Sequence, residues 1–365
     1  MNINYDHQIF SNQNLGGPSR YFVELIKELI SLKNRPVVIA PFNQNIYLAE
    51  ISSKFKKEFF FKIGKKNFLT QKINDLVSNY IFGKNNYDLY HLTYYNKCFN
   101  TKKPKIITVY DLIHEKFMHE FDFKSLPKKK VFENIDHFFC ISNNTKNDLI
   151  NYYNVNESKV STIYPGVEQI LLEKNNSAIN NNFLSLKPYI LYVGSRHGYK
   201  NAQNFLISFS KSKKLKDNIK IVFFGGGKFS SKEKKLLNNL NLNEKNCVQI
   251  DGDDSLLKFF YKNAEVFIYP SLYEGFGSSP LEAMKYGCPV ASSITSCMPE
   301  IQGDASKKFD PNNIENIISV LEEIIYSNEI RKDLINKGYE RVKKYSWKKC
   351  ALETLQVYKN LKNYF

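Results

Sequence analysis

No apolar run in this chain approaches the roughly 20 residues that a membrane-spanning helix needs. The first residues, Met1-Asn-Ile-Asn-Tyr-Asp-His7, have neither a basic n-region nor an apolar h-region, so no secretory signal is expected. Cysteine is sparse and scattered. Cys98, Cys140, Cys247, Cys288, Cys297 and Cys350 form no C-x-x-C pair, which argues against a zinc ribbon or a disulfide framework and for free thiols in a reducing cytosol. Tryptophan occurs once, at Trp347. Acidic residues are in deficit, 36 against 52 basic ones, for a net charge of +16. No zinc-finger, RNP or homeodomain pattern accompanies that charge, so no nucleic-acid partner is expected. Much of it is lysine scattered through an Asn-, Lys- and Ile-rich chain. The local runs Lys54–Lys57, Lys102–Lys105 and Lys128–Lys130 suit peripheral contact with an anionic bilayer surface.

What is present reads as two α/β domains. The length of 365 residues fits about two, and 42% hydrophobic residues suffice for packed cores. Apolar runs alternate with helical patterns, which predicts βα units and parallel sheets. Strands are expected at Pro36–Ala40, Tyr87–Leu92, Ile106–Tyr110, His137–Ile141 and Val160–Ile163, with helices at Pro18–Leu32 and Asn143–Tyr152. A polar, Asn-rich stretch closed by Pro188 marks a linker over 171–188. Strands resume at Tyr189–Gly194, Lys220–Phe224, Cys247–Ile250, Val266–Tyr269 and Val290–Ser292. The expected domains are 1–170 and 189–345. The segment 346–365 reads as a helix capped by Ser346, with Trp347 as a packing anchor.

The most informative stretch is Ser271-Leu-Tyr-Glu-Gly-Phe-Gly-Ser-Ser-Pro-Leu-Glu-Ala-Met-Lys-Tyr-Gly-Cys-Pro-Val290. It carries Glu274 and Glu282 around a glycine turn between a strand and a helix, where open α/β sheets bind ligands. Ser279 is the expected N-cap, Pro280 the first helical residue, and Glu282 the acid of a capping box. On spacing alone, Glu282 serves equally well as a cap or as a ligand. Gly287 reads as the C′ residue, with Pro289 beyond it. The amides near Gly277, Ser278 and Ser279 suit an anion.

Five further segments complete the pattern. In Gly194-Ser-Arg-His-Gly-Tyr-Lys-Asn201, Arg196 and Lys200 flank a glycine ahead of a helix, and His197 reads as a bystander. Gly225-Gly-Gly227 follows a strand, but no Lys-Ser/Thr comes after it, so it is not a P-loop. Asp251-Gly-Asp-Asp254 contains a D-x-D that precedes a helix; Asp254 is expected to cap it, and no metal is assigned. Gly16 and Gly17 open a helix at Pro18, serving either a turn or a close backbone approach. His91, Tyr94 and Tyr95, in Asp88-Leu-Tyr-His-Leu-Thr-Tyr-Tyr95, suit a sugar-lining surface, and Tyr94 suits core packing at least as well.

Glu274-Gly-Phe-Gly through Glu282 resembles the E-x7-E signature of family GT4, the retaining nucleotide-sugar glycosyltransferases of GT-B fold. The resemblance runs through nearly the entire chain. It implies two Rossmann-like domains facing across a cleft, the first on the acceptor side and the second on the donor side, a terminal helix 346–365 that packs back on the first, and no bound metal or other cofactor. It assigns Glu274 to the donor sugar, Glu282 to the nucleotide ribose, and Gly277, Ser278 and Ser279 to the sugar and diphosphate. Arg196 and Lys200 resemble the family's diphosphate-binding pair, and Gly225 its nucleotide-side turn. Gly16 and Gly17 resemble the glycine pair that approaches the phosphates. Many members carry a His near the end of the strand matching Ile106–Tyr110. Tyr110 stands at that position here, and His114 or Asp111 is left to fill the role. Tyr5-Asp-His-Gln-Ile-Phe10, Gly16-Gly-Pro-Ser-Arg-Tyr-Phe22 and Tyr110-Asp-Leu-Ile-His114 resemble a subgroup of mannosyltransferases of O-antigen and polysaccharide assembly. That implies a hexose donor, GDP-sugar before UDP-sugar, with mannose or a deoxyhexose favoured. The implied acceptor is a glycan or a lipid-linked oligosaccharide reached from the cytosolic face. A nucleotide-sugar 2-epimerase-like enzyme and a basic nucleic-acid-binding protein are the alternatives.

Overall fold

The computed structural model describes residues 1–52, 61–62, 68–84, 87–97, 101–118, 128–167 and 183–364. The run Lys54–Lys57, Cys98 and residues 171–182 of the expected linker lie outside them. The chain divides into two compact units, Met1–Gly166 with Ser346–Phe365, and Val167–Tyr345.

In the first unit the strands are β1 (Asn2–Tyr5), β2 (Arg35–Val38), β3 (Phe42–Asn43), β4 (Phe61–Lys62), β5 (Leu89–Leu92), β6 (Lys105–Val109), β7 (His137–Cys140) and β8 (Val160–Thr162). Six of them make one parallel sheet in the order β2-β1-β5-β6-β7-β8, while β3 and β4 pair separately. The central strands are buried on both faces, as parallel strands covered by helices are, and mostly apolar, with Asn4, His91 and Thr108 as buried polar exceptions. The helix Gly17–Ser31 buries Tyr21, Phe22, Leu25, Ile26 and Leu29 at helical spacing. The helix Asn143–Tyr153 starts where the Ser142 hydroxyl accepts from the Thr145 amide at 3.0 Å.

The terminal helix Trp347–Tyr364 belongs to this unit, and Ser346 Oγ accepts from the Lys349 amide at its start. Trp347 packs edge-on against Tyr21 and directly over Gly166, where a Cβ would lie 2.2 Å from the Trp347 backbone nitrogen. Farther along, the Tyr358 hydroxyl meets Tyr5 Oη at 3.1 Å and His91 Nδ1 at 2.5 Å. His91 is fully buried, its Nε2 reaching Thr108 Oγ1 at 2.9 Å. It ties β5, β6 and the terminal helix together, which corrects the sugar-lining reading of His91. Tyr95 is likewise buried, its hydroxyl accepting from the Tyr110 amide, which corrects the sugar-lining reading of Tyr95 as well.

The second unit contains β9 (Tyr189–Val193), β10 (Lys220–Phe224), β11 (Cys247–Ile250), β12 (Val266–Tyr269), β13 (Val290–Ser293) and β14 (Lys307–Phe309). All pair in parallel, in the order β11-β10-β9-β12-β13-β14. The first strand is central. The next two lie to one side and the last three to the other, so the winding reverses between β9 and β12. The loops leaving the carboxyl ends of those two strands therefore lie at the switch point of the sheet, the place where ligands bind in such sheets. The core forms around Ile190, Ile221, Phe223, Val266 and Ile268, closed by Phe205 and Phe209 from the helix Ala202–Lys211 and Ile317, Leu321 and Ile324 from the helix Ile314–Tyr326.

Candidate functional site

The loop after β9 carries Arg196 and Lys200, and the loop after β12 carries Glu274. The two meet: Lys200 Nζ donates to Glu274 Oε1 at 2.7 Å, with the carboxylate nearly buried and the ammonium about a quarter exposed. The backbones are joined too, because the Leu272 amide donates to the Tyr199 carbonyl at 2.7 Å. Asn201, in the left-handed conformation, spans from this loop to the carbonyls of Pro270 and Pro311. Tyr269 lies beneath the pair; burial and then the neighbouring Glu274 charge push its phenol pKa well above the ordinary value.

The Glu274 loop is held from its other side by three hydroxyls just beyond the core of β13. Ser293 Oγ donates to the Ser271 carbonyl at 2.5 Å, and Thr295 Oγ1 reaches the same carbonyl at 3.3 Å. Ser296 Oγ accepts from the Glu274 amide at 3.0 Å and donates to the Glu274 carbonyl at 3.2 Å. Ser296 sits at φ +50°, a backbone conformation most side chains avoid. Sequence reasoning missed this bracket. Its only local sign is the hydroxyl-rich Ser292-Ser293-Ile294-Thr295-Ser296, which gives no hint of its distant partner.

Arg196 lies in the same loop but faces inward, and its side chain is almost fully buried. Its Nε donates to Glu233 Oε1 at 2.6 Å, Nη1 to the Gly225 carbonyl at 3.1 Å, and Nη2 to the Gly227 carbonyl at 2.8 Å. The guanidinium also covers the Phe229 ring, 4.9 Å from its centre. Burial alone would raise the Glu233 pKa, but hydrogen bonds from Arg196 and Ser230 hold it below the usual value. Arg196 therefore braces the turn Gly225–Gly227. All three glycines have φ near +74°, and a Cβ on Gly226 would strike the Gly194 carbonyl and the Arg196 guanidinium. Space is open at the Cβ positions of Gly194, Gly225 and Gly227.

The helix of the E-x7-E stretch runs Ser278–Lys285. Its N-cap is Gly277, left-handed at φ 72° and ψ 68°, and no side chain caps it. This corrects the expectation that Ser279 caps the helix with Glu282 in a capping box. With Gly277 as N-cap the box acid would have to stand at Pro280, and Glu282 lies two residues too far round the helix. Glu282 instead accepts from the Tyr261 hydroxyl at 3.4 Å. Burial, then the charge of Glu282, raise the Tyr261 pKa. Gly287 ends the helix region at φ 72°, as the C′ reading requires. The D-x-D segment is corrected by one residue: the carboxylate of Asp253, not Asp254, caps the helix Asp254–Asn263 by accepting from the Leu256 amide at 2.9 Å. Among the described residues no group of three or more His, Cys, Asp or Glu side chains is placed to hold a metal.

The remaining candidates lie in the first unit. Gly16 is the N-cap of the helix Gly17–Ser31, with extended backbone at φ 166°, and Gly17 is helical. Neither needs positive φ, so the turn explanation for the pair fails. A Cβ on Gly16 would strike the Gln13 side chain, while at Gly17 nothing lies within 4 Å. Tyr110 is buried against Tyr21, Phe22 and Tyr95, which makes it a core residue. His114 is half-buried on the short helix Ile113–Lys116, and Asp111 Oδ1 accepts from the Ile113 amide at 3.2 Å.

Two family models match, together spanning most of the chain: "Glycosyltransferase Family 4" over residues 15–169 and "Glycosyl transferases group 1" over residues 174–341. Among curated relatives, the "O-antigen chain mannosyltransferase B" of Escherichia coli is 37% identical over 108 residues, 30% of this chain and 28% of that protein. The "O-antigen chain mannosyltransferase RfbU" of Salmonella typhimurium is 26% identical over 231 residues, 61% of each chain. The matches thus span less than two thirds of these relatives' lengths. Among solved structures, a glycosyltransferase from Rickettsia africae superposes with a TM-score of 0.72 at 18% identity, over 99% of this chain and 98% of that one. The parallel sheets, the E-x7-E loop at the switch point of the second unit and the two family models agree: the chain belongs to the family 4, group 1 glycosyltransferases of GT-B fold.

Proposed function

We propose that the protein is a retaining glycosyltransferase that moves a hexose from a nucleoside diphosphate sugar to a glycan acceptor in surface-polysaccharide assembly. Mannose or a related deoxyhexose is the favoured sugar, carried on GDP before UDP. The observation that carries this reading is the Lys200–Glu274 pair at the switch point of the second unit, beside the amino end of the helix Ser278–Lys285. The two O-antigen mannosyltransferases above support the choice of sugar.

In this reading the diphosphate occupies the crevice beside Lys200, and the ammonium stabilises the negative charge that grows as the glycosidic bond breaks. The amides of Ser278 and Ser279 add a smaller contribution at a helix amino end, where Pro280 offers none. Glu274 binds sugar hydroxyls, and Glu282 takes the ribose. The turn Gly225–Gly227, braced by Arg196, carries the nucleotide side. Arg196 thus acts through the turn rather than on the phosphates. The acceptor attacks from the face the diphosphate leaves, and the departing phosphate oxygen takes the acceptor proton. The reaction is proposed to need no bound metal. Gly16, Gly17 and His114 are proposed for the acceptor-side unit.

A thermal-shift panel of UDP, GDP, ADP and dTDP tests the base, since differential binding reads out directly as stabilisation. GDP should give the largest shift, and GDP-mannose hydrolysis should fall in Lys200→Ala and Glu282→Gln. No shift with any nucleotide, or full hydrolysis in both variants, would overturn the proposal. Epimer formed from UDP-GlcNAc without acceptor would favour the epimerase alternative.

A further inference from the structure

Asp6 to Ile9, at the carboxyl end of β1, grip the loop that follows β5. Asp6 is fully buried. Its carboxylate accepts from the Gln8 amide at 2.9 Å, from Gln8 Nε2 at 2.8 Å, from the Tyr90 hydroxyl at 2.5 Å and from the Thr93 hydroxyl. Gln8 is buried too, and its side chain reaches across to the loop. Its Oε1 accepts from the amides of Asn96 at 2.8 Å and Lys97 at 3.0 Å, and its Nε2 also donates to the Lys97 carbonyl at 2.8 Å. At the near end of the loop, Thr93 Oγ1 accepts from the Ile9 amide at 3.0 Å. Residues 93–97 are thus fastened at both ends to the segment Asp6–Ile9.

The first sheet reverses its winding between β1 and β5, with β2 to one side and β5 to β8 to the other. The clamp therefore stands at that sheet's switch point, the place where open α/β sheets bind ligands. Both oxygens of Asp6 and both polar atoms of the Gln8 side chain are bonded, and a buried polar network satisfied in this way specifies one arrangement. In that arrangement Thr93 and Tyr95 face inward, while Tyr94 between them is half-buried, its ring 4.8 Å from the Tyr95 ring. Burial first, then the charges of Asp111 and Glu115, raise the Tyr94 phenol pKa. Tyr94 thus lies within electrostatic reach of the loop and short helix that carry Asp111 and His114 beyond β6.

We propose that Tyr94 is a stacking platform for a hexopyranose residue of the acceptor, and that Gln8, backed by Asp6 and Thr93, is the residue that positions it. The proposal rests on the transferase reading above. The C–H bonds on one face of a pyranose ring carry partial positive charge, which suits the negative face of an aromatic ring. Gln8 does not touch the sugar. It acts through the backbone of Asn96 and Lys97, holding the loop so that little ordering is left to be done when the sugar arrives. Asp6 in turn orients the Gln8 amide group, so the order of support runs from Asp6 to Gln8 to the loop to Tyr94.

Saturation-transfer NMR of methyl α-D-mannopyranoside with the full chain, with and without GDP, tests this. The parent should saturate the ring protons of the glycoside. Tyr94→Ala should weaken its binding about tenfold and Tyr94→Phe should keep it, since the ring face carries the contact. Gln8→Ala should weaken binding at least about threefold. Thr93→Ser, which keeps the hydroxyl, should bind as the parent does, and Thr93→Val should not. Melting curves identify the folded variants, and among those a merely structural role would not tie glycoside affinity to the Thr93 hydroxyl. No saturation in the parent, or undiminished binding in Tyr94→Ala, would overturn the proposal. A folded Gln8→Ala that binds like the parent would overturn the positioning role. The thermal shift of the parent with GDP reports on the donor reading separately, so the two can fail independently.

Discussion

Lys200 and Glu274 lie 74 residues apart in sequence, and their side chains meet at 2.7 Å. The carboxylate is held in place through its backbone by Ser296, while the lysine rises from a loop that Asn201 anchors. The pair places a cation and an acid together where the winding of the second sheet reverses. A bound diphosphate would compete with Glu274 for the ammonium and release the carboxylate to sugar hydroxyls. Lys200→Ala is therefore expected to lower donor turnover by about 10²-fold, the scale of losing one preorganised charge at a transition state. The pair is partly exposed, so the stability change should stay within about 1 kcal/mol. Steady-state hydrolysis together with thermal melts decides the point, and turnover within twofold of the parent would exclude this role.

Ser296 should affect rate more than folding. Ser296→Gly removes both hydrogen bonds to the Glu274 backbone and relieves the left-handed strain, whereas Ser296→Ala removes the bonds and keeps the strain. Both variants should lose about tenfold in kcat, and the Gly form should be the more stable by about 0.5–1 kcal/mol. Full kcat in Ser296→Gly would show that the hydroxyl does not position Glu274.

Arg196 should behave in the opposite way to Lys200. Removing its guanidinium leaves Glu233 half-buried without its partner and two glycine carbonyls without donors. Arg196→Ala is expected to cost about 3–5 kcal/mol of stability, with nucleotide binding falling as the turn relaxes. Arg196→Lys should rescue little, because one ammonium cannot reproduce the planar fork. Calorimetric melts with nucleotide titrations check this. A fully stable Arg196→Ala that lost only nucleotide binding would return Arg196 to direct phosphate contact.

His91 predicts an acid-sensitive fold. Burial lowers its pKa from 6.5 to about 3, so the folded protein holds it neutral while the unfolded chain protonates it below pH 6.5. The unfolded state then binds the extra proton between those values. The His91 contribution to stability is complete above pH 6.5 and declines as pH falls, by about 1.4 kcal/mol per unit. His137, lowered to about 4 by burial, acts in the same direction. Denaturant melts from pH 7.5 to 5 should show the decline, and a flat profile in that range would contradict it.

The alternation of apolar runs with amphipathic stretches was enough to read two parallel α/β sheets, because a strand covered on both faces is mostly apolar. Lys220–Phe224, Cys247–Ile250 and Val266–Tyr269 form as the pattern predicts. The E-x7-E stretch and the glycine turns were legible because their chemistry is local: short spacing, backbone freedom and a strand-to-helix junction. Cap positions were legible only to within a residue or two. Ser279 and Asp254 are good caps by composition, yet Gly277 and Asp253 hold those places because the preceding turns fix where helical dihedrals begin.

What the sequence determined by itself was the set of available groups: the two glutamates, the basic residues of the loop after β9, and the sheets that carry them. Which groups face a ligand and which serve the scaffold was decided by tertiary structure. Arg196 and Lys200 sit four residues apart in one loop, but one turns inward to the carbonyls of Gly225 and Gly227 and the other outward to Glu274. His91 and Tyr110 have the chemistry of site residues and are core. In each case the deciding contact joins residues dozens to hundreds of positions apart, and long-range packing and hydrogen bonding are properties of the folded chain that no local spacing records.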